Sequence, residues 1–284
     1  MTTQTFNGVD VSDTAAEALK RRQQKVLRFN MQVWAARVGL LIATLALWEY
    51  ASGRWIEPFL VSSPSRVCVR FWELLADGTL LTHAYVTMKT ATLGFLVGGF
   101  LAIVCGYIAG TSRFVAATIE PYISAIWSVP RVALLPVLIV WVGVGQPLAI
   151  VIAAILVFFL LFYNTYYGIR EVDEELINAM RVMGGSPFDI AVRVRLPSAL
   201  VWILAGAKIS IPQAFVGVVT AEILASNKGL GYLVALYSAQ FDLTGAFAAL
   251  AGLFATGFAL DRLLSVVSAK ALIWKGAQLA PARE

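Results

Sequence analysis

Long apolar runs alternate with short polar segments along the chain, and this pattern predicts the secondary structure. Six runs approach the length of about 20 residues that a helix needs to cross a bilayer. Inside a bilayer every backbone N–H and C=O must be paired within the segment, so such runs form helices unless strands close into a barrel. Barrel strands alternate apolar and polar positions, and these runs do not. We predict an all-α polytopic membrane protein with six spans, near residues 33–51, 87–110, 122–144, 148–166, 198–224 and 243–267.

The segment between the first two spans, residues 53–86, is too polar to cross a membrane. Apolar side chains recur at helical spacing within it, after Ser65. This spacing predicts an amphipathic helix at the membrane surface, with its apolar face formed by Val67, Phe71, Leu74 and Leu75.

Glycine residues recur along one side of the second span, at Gly94, Gly98, Gly99 and Gly106. Small residues spaced about four apart allow two membrane helices to approach closely. We expect a helix-packing face here, and the lining of a pore is the alternative.

Two prolines, Pro130 and Pro136, lie within the third span. Each lacks the N–H that an α-helix needs, so the third span must kink or break. Transporters often bind substrate at interrupted helices, which makes both prolines candidates for the translocation pathway. A purely structural kink is the alternative.

Composition supports the membrane assignment, since 59% of the 284 residues are hydrophobic and 14% are charged. The net charge of +5 is concentrated before the first span, at Lys20, Arg21, Arg22, Lys25 and Arg28. No aromatic residues are interleaved with these charges, so they indicate a cytoplasmic flank next to membrane lipid rather than a nucleic-acid site. With six spans both termini are cytoplasmic. We therefore expect an N-terminal segment (1–30), a transmembrane domain (31–268) and a C-terminal tail (269–284).

The sequence contains no set of residues that predicts catalysis. Cys68 and Cys105 have no metal-ligand or disulfide spacing, and His83 is the only histidine. No glycine-rich loop of the GxxxxGK[ST] type is present, so this chain is not expected to bind or hydrolyse ATP. We predict a protein that is not an enzyme and carries no cofactor or metal.

The charged loop at residues 168–197 carries the most information. Acidic residues at its start favour a helix N-terminus there, and Gly184-Gly185 is expected to end that helix. Ser186 is a suitable N-cap for a second helix, with Pro187 at its first position and Asp189 completing a capping box. The loop is therefore expected to form two short helices joined by a tight glycine bend.

The first of these helices carries an apolar stripe of Leu176, Ala179, Met180 and Met183. A stripe outside the membrane must be covered. It either packs on helix ends of the same chain or docks into a groove on another protein.

This loop resembles the loop of ATP-binding-cassette (ABC) importer permeases, whose pattern is Glu-Ala-Ala, three residues, Gly, nine residues, Ile, one residue, Leu-Pro. Val194 stands in the place of the Ile, whereas Asn178 and Met180 depart from the pattern. The resemblance implies a coupling helix that contacts an ATPase. The residues assigned to that contact are Glu175, Ala179, Met180, Met183, Gly184, Leu196 and Pro197.

Other segments are similar to the nitrate/sulfonate/taurine-type branch of that family, over roughly residues 60–268. They include Ser128–Pro136, Trp141–Gly145, Ala221-Glu222 and Gly229-Leu-Gly231. The resemblance implies a type I importer fold in the bacterial inner membrane. It also implies a second permease copy, two ATPase subunits that bind ATP and Mg²⁺, and an extracytoplasmic solute-binding protein. The solute would be a small anion of the sulfonate, nitrate, taurine, bicarbonate or aromatic-acid class.

Polar residues inside a span are costly and are therefore candidates for function. Lys208 lies near the middle of the fifth span, with Gln213 and Glu222 further along it. Lys208 either attracts an anion in the pathway or snorkels to a neighbouring partner, and Glu222 is a candidate for a gate or for helix packing. An ion-coupled secondary transporter is the alternative function, although Glu222 is the only deep carboxylate to support it.

Overall fold

The computed structural model describes residues 11–55, 57, 61–127 and 129–271, and the side chains of residues 25–55, 57, 61–126, 129, 130 and 133–262. Helices make up the described chain, and no strand occurs among these residues. Parts of both predicted terminal segments, residues 1–10 and 272–284, lie outside the described residues. The longer helices are α1 (Val11–Ala51), α2 (Pro64–Ala76), α3 (Thr79–Thr111), α4 (Arg113–Trp127), α5 (Leu135–Val142), α6 (Gln146–Arg170), α7 (Glu174–Val182), α9 (Leu196–Ala225), α10 (Leu230–Ala239) and α11 (Leu243–Ala271). A single turn, α8 (Pro187–Asp189), and a π-helical segment (Ile190–Arg195) precede α9.

The chain divides into two compact units, residues 1–65 and 66–284. In the first unit α1 continues without a break through the boundary expected at residue 30. The segment that follows α1 is hydrogen-bonded to the end of that helix, where Trp48 Nε1 donates to the Ser62 carbonyl at 2.7 Å. Glu49 also accepts from the Ser65 hydroxyl at 2.7 Å.

The second unit is built on α6, which packs against α3 on one side and α9 on the other. Close approach depends on the predicted glycine face of α3. A Cβ added at Gly94 would lie 2.5 Å from the Ala153 Cβ, and one added at Gly98 would overlap the Ala154 backbone. A Cβ at Gly106 would likewise lie 2.8 Å from the Thr165 Cβ, and one at Gly99 would lie 3.5 Å from Leu161, both on α6. The helix-packing assignment of this glycine face is therefore confirmed.

The third predicted span is interrupted, as its prolines require. Helix α4 ends at Trp127, and a 3₁₀ turn at Arg131–Leu134 leads into α5. Pro136 occupies the first turn of α5, where a missing N–H is tolerated. This segment is consequently two short helices, and neither is long enough to span a bilayer alone.

Five helices among the described residues are long and apolar enough to cross a membrane. They correspond to the first, second, fourth, fifth and sixth predicted spans. The amphipathic helix predicted after Ser65 is also present, as α2, while its position at the membrane surface stays a prediction. Its Leu74 is buried in a cluster with Leu80 and Leu230 from α3 and α10.

Candidate functional site

The loop at residues 168–197 contains an elbow, by which we mean α7, the turn at residues 183–186 and α8. Asp173 caps the start of α7, where its carboxylate accepts from the Glu175 N–H at 2.8 Å. Glu174 and Glu175 occupy the first turn and are favoured there by the helix dipole. The helix N-terminus predicted from the acidic cluster is therefore present, with Glu175 exposed at its start.

A Schellman motif closes the other end of α7. The Gly185 N–H donates to the Met180 carbonyl at 2.9 Å, and the Gly184 N–H donates to the Arg181 carbonyl at 3.0 Å. Gly184 adopts φ +78°, a conformation that side-chain-bearing residues rarely take. A Cβ at Gly185 would lie 2.7 Å from the Met180 Cγ, so the second glycine lets the turn fold back onto α7.

The second half of the elbow begins with the predicted capping box. The Ser186 hydroxyl accepts from the Asp189 N–H at 3.2 Å, while an Asp189 carboxylate oxygen accepts from the Ser186 N–H at 3.1 Å. Pro187 occupies the first helical position. Both partners of each cap are close in sequence, which explains why the pattern alone indicated them.

The expected second short helix is instead continuous with the fifth span. Residues Ile190–Arg195 adopt a π-helix, in which the Leu196 N–H donates to the Ala191 carbonyl five residues back. Pro197 has no N–H to donate four residues back, and the wider π turn accommodates it. Leu196 and Pro197 therefore lie inside one helical rod that runs from Pro187 to Ala225.

The predicted apolar stripe of α7 is divided between two environments. Met180 packs beside a buried cluster formed by Val172, Ile177, Ile190 and Val194. The other stripe residues, Leu176, Ala179 and Met183, are exposed. The same chain therefore covers the stripe only at Met180, and Ile177 provides the inward contact that braces α7 against the π-helical segment.

The outward side chains form what we call the elbow patch, consisting of Leu176, Val182, Met183 and Phe188. Val182 is 89% exposed and Phe188 is 74% exposed, although both are large apolar residues. They flank the bend on opposite arms of the elbow. Because the caps and the buried cluster hold both arms, these side chains form a preformed apolar surface.

A buried polar cluster lies around Glu222, near the end of α9 that is opposite to the elbow. This carboxylate is buried, at 2% exposure. It accepts from the Thr87 hydroxyl of α3 at 2.9 Å and from the Gly231 N–H of α10 at 2.9 Å. Gly231 lies in the first turn of α10, so Glu222 caps that helix from the neighbouring one.

His83 and Thr87, which the sequence did not single out as site residues, complete this cluster. Thr87 Oγ1 accepts from the Leu230 N–H at 2.9 Å, and His83 Nδ1 lies 2.9 Å from the Gly229 N. The histidine ring stacks on Tyr232, with centroids 5.9 Å apart. Their partners lie 143 and 146 residues away in sequence, and no local pattern reveals such a pairing.

The remaining pathway candidates lie apart from both clusters. Lys208 and Gln213 are exposed on α9, and Pro130 and Pro136 are exposed around the break before α5. The structure therefore does not bring the five pathway candidates into one site, and their role in translocation stays a prediction.

Comparison with known proteins identifies the family. The family described as "Binding-protein-dependent transport system inner membrane component" matches residues 98–272. An aliphatic sulfonates transport permease protein of Bacillus subtilis, SsuC, is 30% identical over 92% of this chain and 94% of its own length. Its Escherichia coli namesake is 31% identical over 70% of this chain and 78% of its own. The riboflavin transport system permease protein RibX of Chloroflexus aurantiacus is 29% identical over 82% of this chain and 87% of its own length.

The fold agrees with this family. A chain of the inward-facing MetNI methionine ABC transporter matches 69% of this chain and 97% of its own length, with a TM-score of 0.50 and 22% identity. The ion-coupled secondary transporter is not favoured, because the family and the named relatives are ABC permeases. The chain belongs to the binding-protein-dependent transport inner membrane components, and it is the multi-pass permease subunit of an ABC importer of the nitrate/sulfonate/taurine type.

Proposed function

We propose that this permease works as two identical copies with two copies of a separate ATPase, and imports a small organic anion of the sulfonate class. An extracytoplasmic binding protein delivers the solute, and the ATPase holds ATP and Mg²⁺. The elbow patch carries the ATPase part of this proposal. It is a rigid, exposed apolar surface outside the predicted spans. Docking into a groove on another protein would remove this surface from water.

The elbow also supplies a route for coupling. The rod that starts at Pro187 continues to Ala225 without a break, so a push on the elbow displaces α9 as one body. Closure of an ATPase dimer around ATP would move two docked elbows together and switch the spans between inward-facing and outward-facing arrangements. In this arrangement the elbow and both termini would lie in the cytoplasm.

The solute class is supported by the relatives. Permeases named for aliphatic sulfonates share 30% and 31% identity with this chain. Relatives named for formylaminopyrimidine and riboflavin share 27% and 29%, and the family fold therefore also serves solutes of other chemistry. An exposed lysine in the middle of α9 favours an anion over a neutral solute.

Replacement of Gly184 by valine tests the coupling role. A β-branched residue at φ +78° is strongly disfavoured, so the bend must open and the elbow loses its geometry. Strain of about 1–3 kcal/mol at the docking surface is expected to lower ethanesulfonate uptake per ATP hydrolysed by roughly ten-fold in proteoliposomes that contain the whole complex.

Gly78→Val is the matched control, because Gly78 has φ +80° and equally open surroundings but lies between α2 and α3. It imposes the same backbone strain away from the elbow. We expect its uptake per ATP to stay within about two-fold of the wild type. A Gly184→Val complex that assembles and transports with wild-type coupling would show that the elbow does not transmit the ATPase motion.

A further inference from the structure

The helices of the second unit extend past the membrane core at the end opposite the elbow. Gly94 of α3 packs against Ala153 of α6. Gly110 packs against Ile169, near the end of α6 that leads to the elbow, so the two helices run in parallel. Helix α6 begins seven residues before Ala153, level with residue 87 of α3, which is seven before Gly94. From residue 87 to Gly110, α3 measures about 35 Å, which exceeds the roughly 30 Å of the hydrocarbon core. The part of α3 before residue 87 therefore lies beyond the core.

The turn between α10 and α11 lies further out still. Leu80, near the start of α3, is about 10 Å beyond residue 87. It lies next to Gly252 of α11, since a Cβ added there would approach Leu80 Cδ2 to 2.9 Å. Helix α11 begins at Leu243, about 14 Å before Gly252. The turn at residues 240–242, which we call the tip, therefore projects about 20 Å beyond the end of α6.

An aromatic residue at the tip has a strained backbone. Phe241 has φ +59°, and it is the single non-glycine residue with positive φ in the described part of the chain. The Asp242 N–H donates to the Tyr237 carbonyl at 2.9 Å. The Phe241 N–H donates to the Ser238 carbonyl at 3.1 Å, which completes the same Schellman motif that Gly184 forms at the end of α7. Phe241 thus stands where glycine is favoured, because a Cβ disfavours the left-handed conformation.

The tip is held in place by three helices. One Asp242 carboxylate oxygen accepts from the Gly245 N–H in the first turn of α11 at 2.9 Å. The other lies 4.0 Å from the Arg70 guanidinium of α2. That guanidinium also lies 5.9 Å from the centre of the Tyr237 ring on α10. These contacts fix the turn, so Phe241 is presented in one preformed position.

Folding of the chain does not account for a phenylalanine at this position. The Phe241 side chain is 68% exposed, so its partial burial within the chain offsets little of the backbone cost. Strained residues that their surroundings hold in place are concentrated at functional sites and ligand clamps. Aromatic residues are also enriched at protein interfaces. A partner that buries the ring is the explanation that covers both its exposure and its strain.

A protein that approaches from water fits the tip better than lipid does. The headgroup regions add only about 5–8 Å on each side of the core, whereas the tip projects about 20 Å beyond the end of α6. The elbow precedes α9 and the tip follows it, so a partner of the tip binds on the membrane face opposite the ATPase. The family is described as binding-protein-dependent, and its binding protein is a partner for that face.

We propose that Phe241 anchors the solute-binding protein, with its ring inserted into an apolar pocket of that partner. The proposal rests on the proposed function, because it requires the elbow to be cytoplasmic and a binding protein to deliver the solute. It adds the contact residue on the permease, which the family description does not name.

Stimulation of ATP hydrolysis by the binding protein tests this role. The whole complex in lipid nanodiscs, which leave both faces accessible, is titrated with its cognate solute-binding protein loaded with ethanesulfonate. Phe241→Asn removes the ring, and the turn should persist because asparagine tolerates positive φ better than phenylalanine does. The binding-protein concentration that gives half-maximal stimulation is expected to rise roughly 10- to 30-fold, as for the loss of an aromatic anchor. The Tm of this variant should equal or exceed that of the wild type.

Two further variants serve as controls. Phe241→Tyr keeps the ring and is expected to stay within about three-fold of the wild type in half-maximal concentration. Phe114→Asn is the matched control, because Phe114 is 81% exposed but follows α3 at the elbow end of the spans. Its half-maximal concentration should equal that of the wild type.

Each contrary result has a distinct meaning. A half-maximal concentration of Phe241→Asn equal to that of the wild type overturns the proposal. A lower Tm of Phe241→Asn also overturns it, because the ring would then support the fold rather than a partner. A wild-type complex that the loaded binding protein fails to stimulate refutes delivery by that protein, and with it the anchor role of Phe241.

Discussion

Replacement of Gly229 by alanine should destabilise the junction of α9 and α10 far more than the addition of one methyl group suggests. Gly229 joins α9 to α10 with φ +109° and ψ 164°, a region open almost only to glycine. A Cβ at this position would overlap the Glu222 carboxylate, with all three nearest atoms inside 3.0 Å. The side chain of Glu222 is buried and cannot move aside into solvent.

Two costs add in this variant. Backbone strain in this region costs about 1–3 kcal/mol. Displacement of Glu222 then breaks its bonds from Thr87 and Gly231, and hydrogen bonds to charged groups contribute about 1.5–3 kcal/mol each. The lower ends of these ranges add to about 4 kcal/mol, so we expect a loss of at least about 4 kcal/mol, or at least roughly 8–16 °C in Tm for a unit of this size.

The assay is the melting temperature of the purified permease in detergent, followed by the loss of its monodisperse size-exclusion peak. Gly78→Ala separates the two costs, since φ there is +80° and no heavy atom lies within 4 Å of the added Cβ. That control should lose only about 1–2 kcal/mol from the left-handed backbone. Equal melting temperatures for the two variants would refute the idea that the Glu222 cap stabilises this end of the permease.

Two further variants test the helix packing and the elbow patch. Gly98→Ala should lower the free energy of unfolding by at least about 2 kcal/mol, because its Cβ would overlap the Ala154 backbone. Gly99→Ala is the control, since its Cβ would have its nearest neighbour at 3.5 Å, and its Tm should stay close to that of the wild type. A Gly98→Ala melting temperature equal to that of Gly99→Ala would contradict the close approach of α3 and α6. Phe188→Ser removes an exposed ring from the elbow patch, so it should leave Tm unchanged but weaken binding of the ATPase by roughly ten-fold in a pull-down titration. Undiminished binding would remove Phe188 from the docking surface.

Much of the architecture could be predicted because it depends on neighbours in sequence. A run of apolar residues must form a helix in a bilayer whatever surrounds it, and five spans follow from that requirement. The elbow is equally local. Ser186 and Asp189 are three residues apart, and Gly184 ends α7 because of its own backbone freedom.

The sequence also predicted that the third span would be interrupted at its prolines, but it did not predict the conformation that replaces the helix there. Pro130 and Pro136 forbid a regular helix. The tertiary structure determines that this segment forms α4, a 3₁₀ turn and α5. The outcome depends on which neighbouring groups pair with the backbone carbonyls that the prolines leave without a donor.

The role of Glu222 was beyond any sequence pattern. As a lone deep carboxylate it was a candidate for a gate or for helix packing, and the folded chain shows which helices it joins, since it caps α10 and accepts from Thr87, 135 residues away. The division of the α7 stripe is similar, since Ile177 faces inward only because Ile190 and Val194 return to meet it. The helices and the caps of the elbow were thus determined by adjacent residues. The cap of α10 and the other partners of buried polar groups were decided by tertiary packing, which brings together segments that no periodicity relates.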